Sequence, residues 1–590
     1  MYKERIQQLV SILKEKKLYG YLVFSSDYHS SEYIVDYFKA RAFLSGFTGS
    51  AGTLLVTIRG SYLWTDGRYF IQAEQQLKES GVQLMKMGEV KTPTLIEFLK
   101  QDMQENEQLA FDAKVATYQF VKNLKQEIKG ISLKLDEDLV SLIWKDRPSL
   151  PLQPIVELKE NLTGESIASK LEKVRTCMKD IQYHLLSSLD DIAYLFNLRG
   201  KDIPYNPVFL SYALISHSKA CLFIDEQKVS LEIKQSLEAQ GVTLLPYEKI
   251  YSILKTLTGS ILLDPNKINY ALYVCIDKSV KIFKSENPTT LMKAIKNPVE
   301  IENTKRIHLQ DGVAFCKFMI AFKKQMKNQT SSELQAQDLL ESFRKEQKDY
   351  LEPSFSIICA YQENAAMMHY SATLQSNKTI RNEGLLLIDS GGQYLGGTTD
   401  ITRTLVLGSL SKEAKYHFTL ALKSHIALAS VCFLRGCRGI SLDILARKPL
   451  WDVGLDYKCG TGHGVGYMLN VHEGPNSFRY NMNPNFISAE LKEGMITTNE
   501  PGIYLENQYG IRHENEMLTV FSHQNEYGEF LKFEPITYVP FDIDGIDASL
   551  LTSQEKQWLN DYHQMVYEKI SPYLNDQEKE TFKEYTKELY

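Results

Sequence analysis

Apolar residues recur at helical spacing near the beginning of two successive segments of the chain. A one-sided apolar stripe of this kind predicts an amphipathic helix that packs on a core. The first stripe consists of Ile6, Leu9, Val10 and Leu13, and the second of Ile167, Leu171, Val174 and Met178. The two segments therefore begin in the same way.

The stretch that follows each predicted helix is also similar. YLVFSSDYHSSEYI begins at Tyr21, and YHLLSSLDDIAYLF begins at Tyr183, 162 residues later. In both, an apolar run predicts a strand, a Ser-Ser pair predicts a turn, and the residues beyond it begin a helix. Helices and strands continue to alternate, which predicts α/β layers with mixed sheets. We favour an internal duplication over a chance similarity between two α/β domains.

Two proline-containing linkers divide the chain into three segments. The stretch 146–154 holds three prolines, which is too many for a helix interior or a central strand. Asn-Pro pairs that begin at Asn287 and Asn297 bracket a short helical piece before a long helix predicted over residues 299–327. The predicted domains are residues 1–150, residues 151–297, and residues 298–590 with a charged helical extension from Ser549.

Length and composition narrow the class of protein. A chain of 590 residues is too long for a single hydrophobic core, so we expect several domains. Its net charge is −6, and the sequence contains no block of basic residues. We therefore expect no nucleic acid and no membrane surface as its main partner, and no apolar run reaches the ~18 residues of a membrane span. The eight cysteines include no CxxC pair, so we expect free thiols in a reducing compartment, the cytoplasm.

The stretch LLLIDSGGQYLGGTTDITRT places two aspartates on neighbouring predicted strands. The apolar run 385–388 predicts a buried strand that ends at Asp389, and the β-branched run after Asp400 predicts a second strand. Two glycine pairs between them predict a hairpin with its turn near residues 394–397. In this hairpin Asp389 and Asp400 lie roughly opposite each other, although facing carboxylates repel.

Three later clusters offer side chains that explain this arrangement. His463 lies within GTGHGVG, Glu500 within TTNEPGIY and Glu514 within GIRHENEM, each beside glycine or proline and an apolar run. If these residues join the aspartates, four carboxylates converge, which is prohibitive without cations. Two divalent ions would cancel their charge and supply a bridging hydroxide as nucleophile. An oxygen-rich set with one imidazole favours Mn²⁺ over Zn²⁺.

Each residue alone also fits a structural interpretation, as a turn former or a surface carboxylate, so spacing alone does not decide between that interpretation and the metal hypothesis. Other chemistries find less support. GTGHGVG does not give GxGxxG in either register, and P-loop, GxSxG and HExxH motifs are absent. No cysteine lies in a context that indicates a nucleophile.

The five residues and their surroundings resemble the ligand pattern of the pita-bread metallopeptidases, which include methionine aminopeptidase, prolidase and aminopeptidase P. The resemblance implies a fold of two related creatinase-type α/β domains followed by a C-terminal pita-bread catalytic domain. It also implies that Asp389 holds one metal, that His463 and Glu500 hold the other, and that Asp400 and Glu514 bridge both.

Further motifs over nearly the whole chain resemble the three-domain cytosolic aminopeptidase P type. They are LSGFTGSAGT, WTDGRYF, LFNLRG, NPVF and the VHEGP that follows GTGHGVG. This resemblance implies release of the first residue from short peptides with N-terminal Xaa-Pro, two divalent metal ions, and a homodimer formed through the third domain. Glu500 would shuttle a proton to the leaving nitrogen, while His369 and His472 would bind substrate and stabilise the intermediate.

Two residues beside Glu514 receive lesser roles. We expect Arg512 to hydrogen-bond a ligand carboxylate and His513 to pack behind the site. One local departure from the family pattern is the expanded stretch SFRYNMNPNF between His463 and Glu500. The resemblance therefore does not define the residues at the rim of the cleft.

Two alternatives remain at this point. The nearest is a prolidase, which shares the metal site but is restricted to dipeptides. The other is a non-catalytic pita-bread binding protein, whose signature would be lost ligands, and all five ligand residues are present here.

Overall fold

The computed structural model of the chain describes residues 1–480 and 488–590. The chain forms two compact units, one of Met1–Lys159 with Glu165–Thr289 and the other of Glu160–Gly164 with Thr290–Tyr590. Most residues of the first two predicted domains thus lie in the first unit, whereas residues 160–164 and 290–297 belong to the second, and the boundaries at residues 150 and 297 stay a prediction. No helix in the described ranges is long and apolar enough to cross a membrane.

The long helix predicted over residues 299–327 is present as Pro298–Met326, and it begins at an Asn-Pro pair. That helix is capped by Asn297, whose side chain accepts from the backbone N–H of Val299 and Glu300. In chain order the helices are α1 (Tyr2–Glu15), α2 (Ala40–Ser45), α3 (Phe70–Gln76), α4 (Leu95–Asp102), α5 (Tyr118–Glu127), α6 (Glu160–Thr163), α7 (Ile167–Met178), α8 (Leu189–Leu195), α9 (Leu231–Ala239), α10 (Lys249–Leu254), α11 (Tyr270–Cys275), α12 (Pro288–Ala294), α13 (Pro298–Met326), α14 (Glu333–Lys345), α15 (Lys412–Ala429), α16 (Gly439–Trp451), α17 (Ser553–Ile570) and α18 (Asp576–Tyr585).

The first unit contains two mixed sheets of six strands and a short ribbon of β7 with β9. Its strands are β1 (Gly20–Phe24), β2 (Thr53–Thr57), β3 (Ser61–Thr65), β4 (Gln83–Lys86), β5 (Gln108–Ala110), β6 (Ser132–Lys134), β7 (Val156–Glu157), β8 (Tyr183–Leu186), β9 (Leu198–Arg199), β10 (Tyr212–Ser216), β11 (Ala220–Phe223), β12 (Val242–Leu245), β13 (Ser260–Leu263) and β14 (Lys281–Lys284).

The two sheets share one topology, and this confirms that the two α/β domains are related. Their strand orders are β4-β3-β2-β1-β5-β6 and β12-β11-β10-β8-β13-β14. In both, the strand of the similar stretch pairs antiparallel on one side and parallel on the other. The predicted helix stripes are also buried in the same way, with Leu9 and Leu13 of α1 and Leu171 and Val174 of α7 inside.

Equivalent segments of the two copies also pair with each other. The backbone N–H of Tyr118 donates to the carbonyl of Ile268 at 2.9 Å, and that of Tyr270 donates to the carbonyl of Ala116 at 2.8 Å. Thr117 and Asn269, which precede these tyrosines, cap α5 and α11. The reciprocal pairing is what a duplicated unit with local twofold symmetry would form.

The second unit combines antiparallel sheets with helices α13 to α18. Its strands in the described residues are β15 (Ser331–Ser332), β16 (Tyr350–Pro353), β17 (Ile358–Tyr361), β18 (Thr379–Ile380), β19 (Leu385–Ser390), β20 (Gly392–Tyr394), β21 (Gly397–Thr398), β22 (Ile401–Val406), β23 (Cys432–Leu434), β24 (Gly462–His463), β25 (Ser477–Phe478), β26 (Ile496–Asn499), β27 (Gly502–Leu505), β28 (Tyr509–Arg512), β29 (Asn515–Asn525) and β30 (Gly528–Pro535). A large apolar core lies between β19, β22 and the helices α13, α15 and α17.

The predicted hairpin forms, but its register differs from the sequence prediction by two residues. β20 and β21 pair Tyr394 with Gly397, so the turn lies where it was expected. In the pairing of β19 with β22, however, Asp389 lies opposite Thr402 rather than Asp400. Because side chains alternate along a strand, Asp400 and Thr402 share a face, and Asp400 is the diagonal neighbour of Asp389.

Gly391 lets the backbone that follows Asp389 pass close to the backbone that precedes Asp400. A Cβ at this position would overlap the carbonyl oxygen of Thr399 and the hydroxyl of Ser354. The absence of a side chain therefore holds the β19–β22 register that brings the carboxylates onto one face.

We expect Gly391→Ala to destabilise the folded protein by about 1–3 kcal/mol, because the new methyl group has no space. The matched control is Gly474→Ala, since a Cβ there would meet nothing within 4 Å. Urea unfolding of the metal-free protein measures both, and equal midpoints for the two variants would contradict the proposed crossing constraint.

Candidate metal centre

Backbone hydrogen bonds join the ends of the strands that carry the five predicted ligands. The N–H of Glu514 donates to the carbonyl of Thr402 at 3.2 Å, which fixes β28–β29 beside the hairpin. The N–H of Glu500 donates to the carbonyl of Thr461 at 2.8 Å. The N–H of His463 donates to Thr498 Oγ1 at 3.0 Å. Residues from four distant parts of the sequence therefore meet at one end of the sheets.

Four of the five predicted side chains lie close together. Ligand atoms of Asp400, His463 and Glu514 lie within 4.8 Å of one another. His463 Nε2 lies 3.5 Å from Asp400 Oδ2 and 3.5 Å from Glu500 Oε1. His463 Nδ1 lies 3.1 Å from the carbonyl oxygen of Gly464, so we assign the ring proton to Nδ1 and the lone pair to Nε2.

Burial and mutual repulsion perturb the pKa values of these carboxyls. Desolvation, followed by the charges of Glu514 and Asp389, raises the pKa of Asp400 well above its usual value. Desolvation and the charges of Glu500 and Asp389 do the same to the pKa of Glu514. Desolvation raises the pKa of Glu500 to about 7, although the charges of Arg512 and His472 oppose the shift. The protein alone therefore does not favour full ionisation of this cluster.

The same observations fit a pair of divalent cations. Asp389 Oδ1 is buried and has no hydrogen-bond partner within the described residues, as expected for an atom that awaits a different ligand. Four carboxylates and one imidazole form an oxygen-rich donor set, which suits Mn²⁺ and similar ions. Cations at this point would replace repulsion with attraction.

Arg512 and Thr402 hold two of the carboxylates in place. Arg512 Nη2 donates to Asp389 Oδ2, as predicted, while its Nη1 donates to Tyr504 Oη at 2.7 Å. Arg512 Nε donates to Thr402 Oγ1 at 3.0 Å, and that hydroxyl donates to Glu514 Oε2 at 2.6 Å. This chain of hydrogen bonds orients Asp389 and Glu514 together.

His513 and Arg403 lie behind the cluster. His513 is buried against the rings of Phe418 and Phe541, so its predicted packing role is confirmed. Arg403 is fully buried and donates to the carbonyl of Glu514 and to Asn515 Oδ1. Sequence reasoning missed Arg403 and Thr402, although both belong to the DITRT stretch that carries Asp400.

The two outer histidines differ in how directly the structure links them to the centre. The His472 ring packs edge-on against the His463 ring with 4.2 Å between centroids. His369 follows Met368, whose carbonyl accepts from Arg512 Nη2 at 3.4 Å. Both side chains are half-buried, which leaves each partly accessible.

A buried ion cluster, also missed from the sequence, anchors the segment that carries His472. Glu473 lies 3.5 Å from Lys293 Nζ and 3.4 Å from Lys296 Nζ, and all three side chains are nearly inaccessible to solvent. The N–H of Glu473 donates to the carbonyl of Gly464 at 2.8 Å, which ties His472 to the neighbour of His463. Removing one partner of such a cluster leaves buried charge uncompensated.

Family models match nearly the whole chain. The Creatinase/Prolidase N-terminal domain matches residues 5–142 and again residues 146–300. Metallopeptidase family M24 matches residues 302–520, and the C-terminal region of peptidase M24 matches residues 529–589. These matches confirm the predicted fold class of two related α/β domains followed by a pita-bread domain.

Individual relatives match over the full length. The chain is 38% identical to Xaa-Pro aminopeptidase 1 of Dictyostelium discoideum over 97% of this chain and 93% of that protein. It is 38% identical to a probable Xaa-Pro aminopeptidase P of Neurospora crassa over 97% of this chain and 86% of that protein.

Two solved structures resemble the chain to different extents, one over its full length and one over part of it. The X-prolyl aminopeptidase of Caenorhabditis elegans, described as a cytosolic enzyme with a di-nuclear active site, covers all of both chains at a TM-score of 0.95 and 33% identity. An Xaa-Pro dipeptidase of Bacillus anthracis covers 64% of this chain and 99% of its own at a TM-score of 0.51 and 23% identity. The second likeness shows the fold alone.

We expect Asp400→Asn to weaken metal binding and to raise the melting temperature of the metal-free protein by about 2–4 °C, the shift that ~1 kcal/mol produces in a large domain. The variant removes a repelled carboxylate, so the metal-free state gains stability while the stabilisation by added Mn²⁺ falls. Thermal unfolding with and without Mn²⁺ measures both effects.

The control for this experiment is Asp180→Asn, which changes an exposed aspartate in the first unit. It should leave both melting temperatures unchanged. An Asp400→Asn protein that Mn²⁺ stabilises as much as the wild type would rule out Asp400 as a ligand.

Proposed function

The chain belongs to the Xaa-Pro aminopeptidase family of M24 metallopeptidases, and from this membership we propose that it releases the first residue of peptides whose second residue is proline. The observation that carries the proposal is the convergence of Asp400, His463 and Glu514, with Glu500 beside them, in a chain that matches such enzymes from end to end. The activity is metal-dependent, as the donor set requires.

We propose that two divalent ions bind here and that they are Mn²⁺, which the oxygen-rich donor set favours. Asp389 would hold one ion, His463 and Glu500 the other, and Asp400 and Glu514 both. When bound, the ions would supply Lewis acidity at the scissile carbonyl and a more acidic water.

Glu500 is the group best suited to move a proton. Its side chain is 21% exposed, compared with 5% for Asp400, so a substrate can reach it. The Glu500 carboxylate can accept a proton from water and return it to the leaving nitrogen. The Thr461 carbonyl that accepts from the Glu500 N–H fixes the backbone behind this carboxyl.

His472 and His369 are proposed to bind the substrate carbonyl and the oxyanion that forms from it. Imidazole titrates near working pH and can donate through either nitrogen. His472 is held by the Glu473 cluster and packs on His463, so its ring is oriented before substrate arrives. Donors positioned in this way stabilise charge that develops only in the transition state.

The proline requirement follows from the chemistry of the bond. An Xaa–Pro bond has no amide hydrogen, and a site that cuts it must hold the ring and protonate a nitrogen that already carries three carbons. Binding energy that depends on the ring is lost when another residue replaces proline. We therefore propose that proline at position two is required.

Two alternatives are less well supported. A prolidase would act on dipeptides, but the dipeptidase fold accounts for only 64% of this chain. A non-catalytic binding protein would be expected to lose ligands, whereas all five are present and Asp400, His463 and Glu514 converge.

Location and assembly are also proposals. The similar C. elegans enzyme is described as cytosolic, which supports a cytoplasmic location for this protein. The homodimer rests on family resemblance, and sedimentation of the purified protein at micromolar concentration tests it directly.

We expect His472→Ala and His369→Ala to retain bound metal and to lose turnover by about 10²-fold or more, the effect of removing one transition-state donor. Metal content per chain and kcat are measured on the same preparations. Loss of metal in either variant would make that histidine a ligand instead. Full turnover would remove it from the site.

For the substrate, we expect release of arginine from Arg-Pro-Pro in the presence of Mn²⁺ and little cleavage of Arg-Ala-Pro. The dipeptide Arg-Pro should be cleaved much more slowly than the tripeptide. One chromatographic comparison measures all three. A preference for the dipeptide would favour a prolidase, and no cleavage with metal bound would favour a binding protein.

A further inference from the structure

Arg479 lies at the edge of the centre and has no part in the mechanism above. It follows β25, whose pairing with β24 sets Ser477 opposite His463 and Phe478 opposite Gly462. The N–H of Thr461 donates to the carbonyl of Phe478 at 2.9 Å, which continues this pairing to the residue before Arg479. The Arg479 side chain is exposed.

The side chain of Arg479 lies over Gly460. A Cβ on Gly460 would be 3.0 Å from Arg479 Nε and 3.2 Å from its Cγ, so a larger residue there would displace the arginine. Glu500 adjoins the same loop, since its N–H donates to the carbonyl of Thr461 at 2.8 Å. Arg479 and Glu500 therefore both lie beside one short loop.

Arg479 also differs from the other arginines near the centre in its partners. Arg512 and Arg403 are buried and saturated by side-chain and carbonyl acceptors. Among residues 1–480 and 488–590, no carboxylate forms an ion pair with Arg479 and none of its nitrogens donates to a protein acceptor. An exposed guanidinium beside an acidic cluster is thus open to an anionic ligand.

We propose that Arg479 binds the C-terminal carboxylate of a tripeptide substrate, the group that lies one residue beyond the proline. This inference rests on the proposed function, in which Glu500 faces the proline nitrogen. One residue spans about 3.3–3.6 Å, so the carboxylate of the third residue lies well within the reach of an arginine on the Glu500 side of the site. Arg–carboxylate pairs are strong and directional.

The position of the carboxylate would then select substrate length. In an Xaa-Pro dipeptide the carboxylate is on the proline itself, one residue short of Arg479, so the ion pair does not form. In a tripeptide it reaches Arg479. In a longer peptide the terminus continues past the arginine, and the ion pair is lost. Tripeptides with a free carboxyl group are therefore the preferred class.

The test compares kcat/KM for Arg-Pro-Pro, for its C-terminal amide and for a nine-residue peptide with the same first three residues. The wild type should favour the acid over the amide by about 10-fold, which is the effect of one charge-assisted contact. Arg479→Gln should lower kcat/KM for the acid to the value for the amide, mainly by raising KM. It should change kcat/KM for the amide and for the long peptide by less than about twofold. Arg479→Lys should retain part of the preference.

The control is Lys532→Gln, which removes an exposed positive charge on β30. This variant should leave the ratio of kcat/KM for the acid to kcat/KM for the amide unchanged. Cleavage of all three substrates with no preference for the acid in the wild type, or an equal loss on all three in Arg479→Gln, would overturn the role of Arg479 alone. If the metal-loaded wild type cleaves none of them, the proposed function fails and the inference fails with it.

Discussion

Repulsion among four carboxylates, three of them buried and one half-buried, is the constraint around which the second unit is built. Asp389, Asp400, Glu500 and Glu514 come from separate strand ends, and desolvation together with mutual charge raises the pKa values of three of them. The protein holds them together through backbone pairing, through the Arg512–Thr402 hydrogen bonds and through Arg403 beneath. Folding energy from the surrounding core thus maintains an arrangement that only cations make favourable.

The support around the centre explains why its side chains are oriented before any ligand binds. Glycines let strands cross where side chains would clash, as at Gly391. Buried charge clusters then fix the segments between strands, as Lys293 and Lys296 fix Glu473 next to His472. Arg479 lies outside this buried support, at the exposed edge of the site. Interior residues therefore position the reacting groups, and the edge is where substrates of different length would be distinguished.

Local patterns predicted much of this structure. The stripes at Leu9 and Leu171 identified helices that do pack inward, and the Ser-Ser stretches identified strands of two sheets with one topology. The five candidate ligands each stand beside glycine or proline and an apolar run, but this pattern did not single them out, and the resemblance to a metallopeptidase family was needed to select them. The hairpin register could not be predicted from the sequence, because a two-residue shift keeps the same residues on the same face. The Glu473 cluster was also hidden, since its lysines lie far away in sequence and only tertiary packing joins them.

The central claim is that cations hold the facing aspartates together. Anomalous diffraction at the manganese edge, from crystals of the Mn²⁺-loaded protein, tests it most directly because it locates the ions without reference to activity. The account predicts two peaks per chain between Asp389, Asp400, Glu500 and Glu514, with His463 in contact with only one of them. A fully active protein with no peak there, or with its manganese bound elsewhere, would contradict it.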